Sequence, residues 1–287
     1  MEYCITPQFE YALPYSHDRA AVRRDGVWGY IDLEGKLVIE SKYRQARSFS
    51  EGLAAVCFQD RWGYIDASGE LVIDPVFITA YDFYNGLAEV VTANSCCYID
   101  TSGKIALYPR FENTWVGRGA HFSHGLTCIE KDDLVGFMNV SEEFDVPPQY
   151  LDARCFSEGL AAVLKRRWVG DRWGYIDPRG RMVIRPVFFN ALDFSEGLAP
   201  VSIDYEMYGF INKKGRLVLR DRYERARGFS EGLAAVRFFS KGWGFIDTAG
   251  DVIITPRFSD VGRFSQGRAP VCVDGEWGYI RNTHMEQ

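Results

Sequence analysis

Four histidines, His17, His121, His124 and His284, and seven cysteines, at positions 4, 57, 96, 97, 128, 155 and 272, hold the soft-donor and nucleophilic capacity of the chain. The run His121-Phe-Ser-His124, with Cys128 close behind, offers donors of the kind zinc takes. In a strand, however, His124 and Cys128 would stand far apart, and neither a carboxylate nor any Cys-x-x-Cys pair accompanies them. No metal site and no cofactor are therefore expected. A Cys–His pair is also the smallest unit of nucleophilic catalysis, and the vicinal Cys96-Cys97 could meet a histidine in space. Glycine-rich phosphate loops, a Gly-x-Ser-x-Gly elbow and His-Glu-x-x-His are all missing. The expectation is of no catalytic residue and no enzyme, with the roles of Cys96, Cys97, His121 and His124 left open.

Recognition chemistry is better represented. The run Lys165-Arg-Arg-Trp168-Val-Gly-Asp171-Arg172 gathers four cations around one tryptophan, and Trp115, Arg118, Tyr205, Phe238 and Phe239 lie in comparable surroundings. Tryptophan, tyrosine and arginine are enriched where proteins grip one another. Composition narrows the partner. With 33 Lys plus Arg against 39 Asp plus Glu, the net charge of −6 argues against nucleic acid. No run approaches the ~20 apolar residues of a membrane span, and the first residues do not resemble a secretory signal. A cytoplasmic, bacterial chain is expected, its odd number of cysteines reduced and its state monomeric by default.

These residues need elements to position them, and the elements repeat. Trp62-Gly-Tyr-Ile-Asp66 recurs at Trp28, Trp173, Trp243 and Trp277, with weaker copies at Cys96, Val135 and Tyr208. The anchors are 34 to 39 residues apart. A second motif, Phe49-Ser-Glu-Gly-Leu-Ala-Ala-Val56, keeps step at Phe156, Phe194 and Phe229 and more loosely at Tyr15, Phe83, Phe122 and Phe264. Fifteen residues after most anchors stands an aromatic, such as Phe77 or Phe188. Each unit of roughly 35 residues therefore reads as three short antiparallel strands. Asp66 to Gly69 and its equivalents fit a turn closed by a glycine in the left-handed region, and Pro75 or Pro186 is expected to end the third strand. The Glu of Phe-Ser-Glu-Gly, as at Glu51, reads as a turn or cap residue.

The combination of Trp-Gly-Tyr-Ile-Asp, Pro-x-Phe and Phe-x-x-Gly-Leu-Ala resembles the WG-repeat family. The resemblance covers Ile5 to Ile280 and implies one domain over residues 1–287. It says little about activity. The departures at Cys96-Cys97 and Val135 put the packing of the third and fourth units in question. The ends of the sequence suggest closure. Glu2-Tyr-Cys-Ile-Thr-Pro-Gln-Phe9 aligns with Asp251-Val-Ile-Ile-Thr-Pro-Arg-Phe258, a third strand, whereas the last unit supplies only its first two. An all-β, β-propeller-like ring completed by the N-terminal strand is expected, with an open solenoid or superhelix as the alternative.

The hairpin between the first and second strands varies most, and in repeat proteins such variation maps to the binding face. That places Arg166, Arg167, Trp168, Arg172, Tyr205, Phe238 and Phe239 on one class of loop, with Trp115 and Arg118 in a separate insertion. The expectation is a protein-binding module, as an adaptor or toxin-neutralising protein. A ring with a small-ligand pocket or weak hydrolase activity is the alternative.

Overall fold

The computed structural model describes residues 3–93, 95–108, 114–115, 121–168, 170–204 and 207–283, the side chains of 114, 115 and 221 excepted. In the Trp62 unit the strands Leu53–Phe58 and Arg61–Asp66 are joined by Gln59 and Asp60, whose φ angles of 47° and 65° are the paired positive values of a type I′ hairpin. The Asp66 carboxylate then accepts the amides of Ser68 and Glu70 at 2.9 and 3.1 Å, and Gly69 closes the turn at φ 88°. This is the Asp-x-x-Gly turn expected from sequence.

The third strand, Leu71–Phe77, corrects one expectation: it runs through Pro75 to set Phe77 opposite Trp62. The register shifts between Trp62 and Tyr64, and this irregularity accommodates the proline. Gly63 makes the arrangement possible. A Cβ there would lie 2.4 Å from the Ile73 carbonyl oxygen and 2.8 Å from the Pro75 nitrogen. Gly136, Gly174, Gly244 and Gly278 face the same backbone crowding.

A second correction concerns strand number, since every unit is a four-stranded antiparallel sheet. The extra strand is only two residues long in most units, as in Gln45–Ala46, which pairs with Cys57 and Val56. Two residues cannot show an alternating pattern, so this strand leaves no trace in the sequence. The eight sheets are the blades of a β-propeller. Among the described residues no helix is long and apolar enough to cross a membrane.

The chain forms two compact units, residues 1–106 with 257–287, and residues 107–256. In the first, Tyr3–Phe9 pairs antiparallel with Glu276–Arg281, placing Ile5 opposite Tyr279 and Phe9 opposite Trp277. The N-terminal strand thus completes the last blade, as its alignment implied, and the open superhelix is set aside. Ile5 and Phe9 are buried with Tyr15, Trp277 and Tyr279.

Within each unit, consensus polar groups tie several blades to the following one. The Tyr64 hydroxyl donates to the Tyr81 carbonyl at 2.8 Å, and Tyr175 does the same to Leu192. Ser50 donates to the Phe83 carbonyl at 2.5 Å, and Ser157 to that of Phe194 at 2.6 Å. Glu51, itself at φ 53°, accepts the amides of Asn85 and Gly86 at 2.6 and 2.8 Å, which fulfils its expected turn-capping role. Trp62 is buried in a cluster with Tyr64, Phe77, Phe83 and Val90. Of the degenerate anchors, Val135 is buried and Cys96 is half-buried, while Cys97, at the glycine position, joins that same cluster.

Candidate functional site

The long hairpin of the Trp173 blade begins where Lys165 pairs with Arg172, at the ends of the strands Ala161–Lys165 and Arg172–Ile176. A turn in which the Gly170 amide donates to the Arg167 carbonyl at 3.1 Å reverses the chain. Two arginines pin this excursion. The Arg167 guanidinium donates to the Pro186 carbonyl at 3.2 Å, and that of Arg172 lies 3.7 Å from the centre of the Phe189 ring. The hairpin is thereby laid along the strand Met182–Phe188. Trp168 receives no such cover and is 107% exposed. Lys165, Arg166, Arg167, Trp168, Met182 and Pro186 line an open cleft of about 470 Å³. One wall is cationic and aromatic, and the other is apolar.

The remaining recognition candidates divide. Phe239 is 52% exposed on the hairpin of the Trp243 blade. Its neighbour Phe238 turns inward, edge-on to Tyr223 with ring centres 5.4 Å apart, and packs against the core. Trp115 lies in the short strand Thr114–Trp115, and nothing is described of its side chain. Arg118 and Tyr205 lie outside the described residues, as do Phe111 and His284.

The histidine and cysteine candidates are placed differently from their sequence spacing. His124 occupies the turn position of Glu51, at φ 55°, and its Nδ1 is 3.0 Å from the Ser123 hydroxyl. His17 has the same conformation in the Tyr15 repeat. Among the described residues no group of three or more His, Cys, Asp or Glu is placed to hold a metal ion. Cys128, on the strand Leu126–Lys131, instead lies with its Sγ 3.5 Å from that of Cys155, which precedes the aromatic Phe156 of the adjacent blade. His121 hydrogen-bonds the Cys155 sulfur as well. The Cys128 hydrogen bond holds the Cys155 thiol well below the ordinary thiol range, and His121 adds to it against the upward push of burial. Arg154 and Asp193 complete the surroundings. Arg154 donates to the Ala191 carbonyl at 3.0 Å, and the charges of Arg154, Cys155 and His121 all reach the Asp193 carboxyl.

Local spacing gave no sign of the Cys128–Cys155 pair. The repeat marks only Cys128, since the Cys155 position differs from unit to unit. Cys155 stands where the Trp62 unit has Ser48, and Cys128 stands where that unit has Ala55.

The WG-containing repeat family matches residues 2–28, 28–61, 62–94, 98–134, 136–166, 173–205, 208–238 and 243–277. No curated protein sequence matches the chain. Among solved structures, the computationally designed Ika8 protein superposes with a TM-score of 0.64 at 11% identity, covering 97% of this chain and 98% of its own. BamB from Moraxella catarrhalis does so with a TM-score of 0.63 at 10% identity, covering 97% and 100%. A eukaryotic initiation factor gives 0.59 at 10% identity, covering 97% and 89%. At such identities the likeness is one of fold.

Proposed function

The chain belongs to the family of WG-containing repeats, and on that premise we propose that it is a protein-binding module acting through the Trp168 hairpin, as an adaptor or as a protein that neutralises a toxin. The observation that carries this reading is a fully exposed tryptophan set among Lys165, Arg166 and Arg167 on a chain whose net charge is −6. An exposed tryptophan beside an apolar wall formed by Met182 and Pro186 has the composition of an interface anchor. The cations around it favour an acidic partner surface, which they would steer into the cleft. The repeat fold supplies a rigid platform for a loop of this kind. No step of this function requires catalysis by the chain itself, and the partner is a protein rather than nucleic acid or a membrane.

The test compares the wild type with Arg166→Ala/Trp168→Ala and with Arg166→Glu/Trp168→Ala. Both variants leave the Arg167 and Arg172 tethers in place, so their melting temperatures should match that of the wild type. Proteins captured from host lysate by the wild type should present acidic segments, and their recovery should fall by about tenfold or more in both variants. Raising the salt concentration should weaken capture by the wild type. Equal recovery of the same proteins by all three forms would remove the hairpin from consideration.

A further inference from the structure

Cys128 stands where four other units have alanine, Cys155 stands at a position that differs from unit to unit, and the two meet in space. The matching positions are Ser48 and Ala55 in the Trp62 unit, and Ala162 matches Cys128 in the unit that carries Cys155. Random drift of a core position gives isolated cysteines, such as the buried Cys57 and Cys272. Here two sulfurs from adjacent blades lie 3.5 Å apart, both residues are partly exposed, and His121 hydrogen-bonds one of the sulfurs. A disulfide needs about 2.05 Å between sulfurs, so an approach of roughly 1.5 Å shared between two side chains would join the blades.

We propose that Cys155 and Cys128 form a peroxide-responsive thiol pair, with Cys155 the attacking sulfur, Cys128 the resolving one and a hydroperoxide the oxidant. The site goes beyond the partner-binding reading and does not depend on it. In the first step the Cys155 thiolate attacks one peroxide oxygen. The S–O bond forms and the O–O bond breaks, with the electron pair leaving on the departing oxygen. Sulfur is oxidised by two electrons, the peroxide is reduced, and the released hydroxide takes up a proton to become water. In the second step the Cys128 sulfur attacks the Cys155 sulfenic acid, the S–S bond forms, and the S–O bond breaks. The Cys128 proton leaves with the hydroxide as the second water. Two thiols and one hydrogen peroxide thus give one disulfide and two waters. An external dithiol reverses the reaction by exchange.

Several neighbours fit these roles. A reactive cysteine needs thiolate character and access to solvent. The Cys155 thiol is held low by the Cys128 hydrogen bond and by His121, against the push of burial, and the residue as a whole keeps partial exposure. Cys57 and Cys97 show the opposite condition, since burial raises both thiols and both are enclosed. They serve as internal references.

The experiment uses the full wild-type chain. Limited hydrogen peroxide should lower the intact mass by 2 Da and give a Cys128–Cys155 cross-linked peptide that dithiothreitol abolishes. Iodoacetamide at pH 6 should alkylate Cys155 at least about tenfold faster than Cys97, because the alkylation rate follows the thiolate fraction. In Cys128→Ser the sulfenic acid has no resolving thiol, so dimedone should capture it on Cys155. The proposal is overturned if peroxide yields no Cys128–Cys155 peptide before other cysteines are oxidised. It is equally overturned if Cys155 alkylates no faster than Cys97, or if dimedone labels Cys128→Ser elsewhere. None of these readings touches the Trp168 hairpin, so either proposal can fail alone.

Discussion

Replacing Gly278 by alanine should loosen the blade that joins Tyr3–Phe9 to Glu276–Arg281. A Cβ there would lie 2.5 Å from the Ile5 carbonyl oxygen, 2.6 Å from the Pro7 nitrogen and 2.8 Å from the Thr6 carbonyl carbon. All three are backbone atoms, so no side chain can swing aside. Ordinary contact begins at 3.4 Å, so the strand must retreat by about 1 Å, and overpacking of this kind costs roughly 1–3 kcal/mol. Stretched ladder hydrogen bonds beside the clash add about 1 kcal/mol each. A loss of about 2–4 kcal/mol is expected. Because Tyr3–Phe9 joins its sheet from the far end of the sequence, that loss should appear as local detachment of the strand. At 2 kcal/mol its opening constant rises roughly thirtyfold. Hydrogen exchange by mass spectrometry on peptides covering residues 3–9 reads this directly, and urea titration gives the global cost. Gly275→Ala is the control, since nothing lies within 4 Å of its Cβ and only its turn, at φ 87°, is strained. The reasoning fails if exchange at residues 3–9 in Gly278→Ala stays within twofold of the wild type.

Trp62→Ala should cost about 3–5 kcal/mol in urea titration, since the ring is buried in its cluster and Arg47 stacks over it at 5.4 Å. A cost under about 1 kcal/mol would mean that the ring is not an anchor. Acid should weaken the contact between the Trp173 and Tyr208 blades made by Glu158. Burial pushes this carboxyl up, but the Lys213 ammonium and the Gly197 amide outweigh it and hold the pKa below its ordinary value. A folded pKa below the unfolded one contributes stability above the unfolded value, about 4.3, that is lost as pH falls through the folded value. Melting temperatures of the wild type should therefore drop more between pH 5 and pH 3 than those of Glu158→Gln, and parallel profiles would count against the pair.

The repeat was legible because each consensus residue has a fixed physical task. The Gly of Trp-Gly-Tyr stands where a neighbouring carbonyl leaves no room for a Cβ, the Asp of the turn caps amides, and Phe77 reaches back to Trp62. The two-residue strands were not legible, since they are too short to carry a period. Pro75 misled because a proline usually ends pairing, whereas a local register shift lets this strand continue. The Trp168 hairpin stood out as an insertion, but the tethers at Pro186 and Phe189 and the inward turn of Phe238 are tertiary facts. The Cys128–Cys155 pair was hidden for the same reason. Its members are 27 residues apart, and only the stacking of adjacent blades brings them together.

The exchange of Tyr3–Phe9 into the last blade also sets a clock on synthesis. Its partner strand is translated about 270 residues later, which at about 5–20 residues per second is on the order of ten seconds to a minute. Throughout that interval Ile5 and Phe9 have no place to go, while the blades translated between them can already stack on their neighbours. A nascent chain in this state carries an unpaired apolar strand over residues 3–9. The N-terminal strand therefore stays unpaired until the last blade has been made.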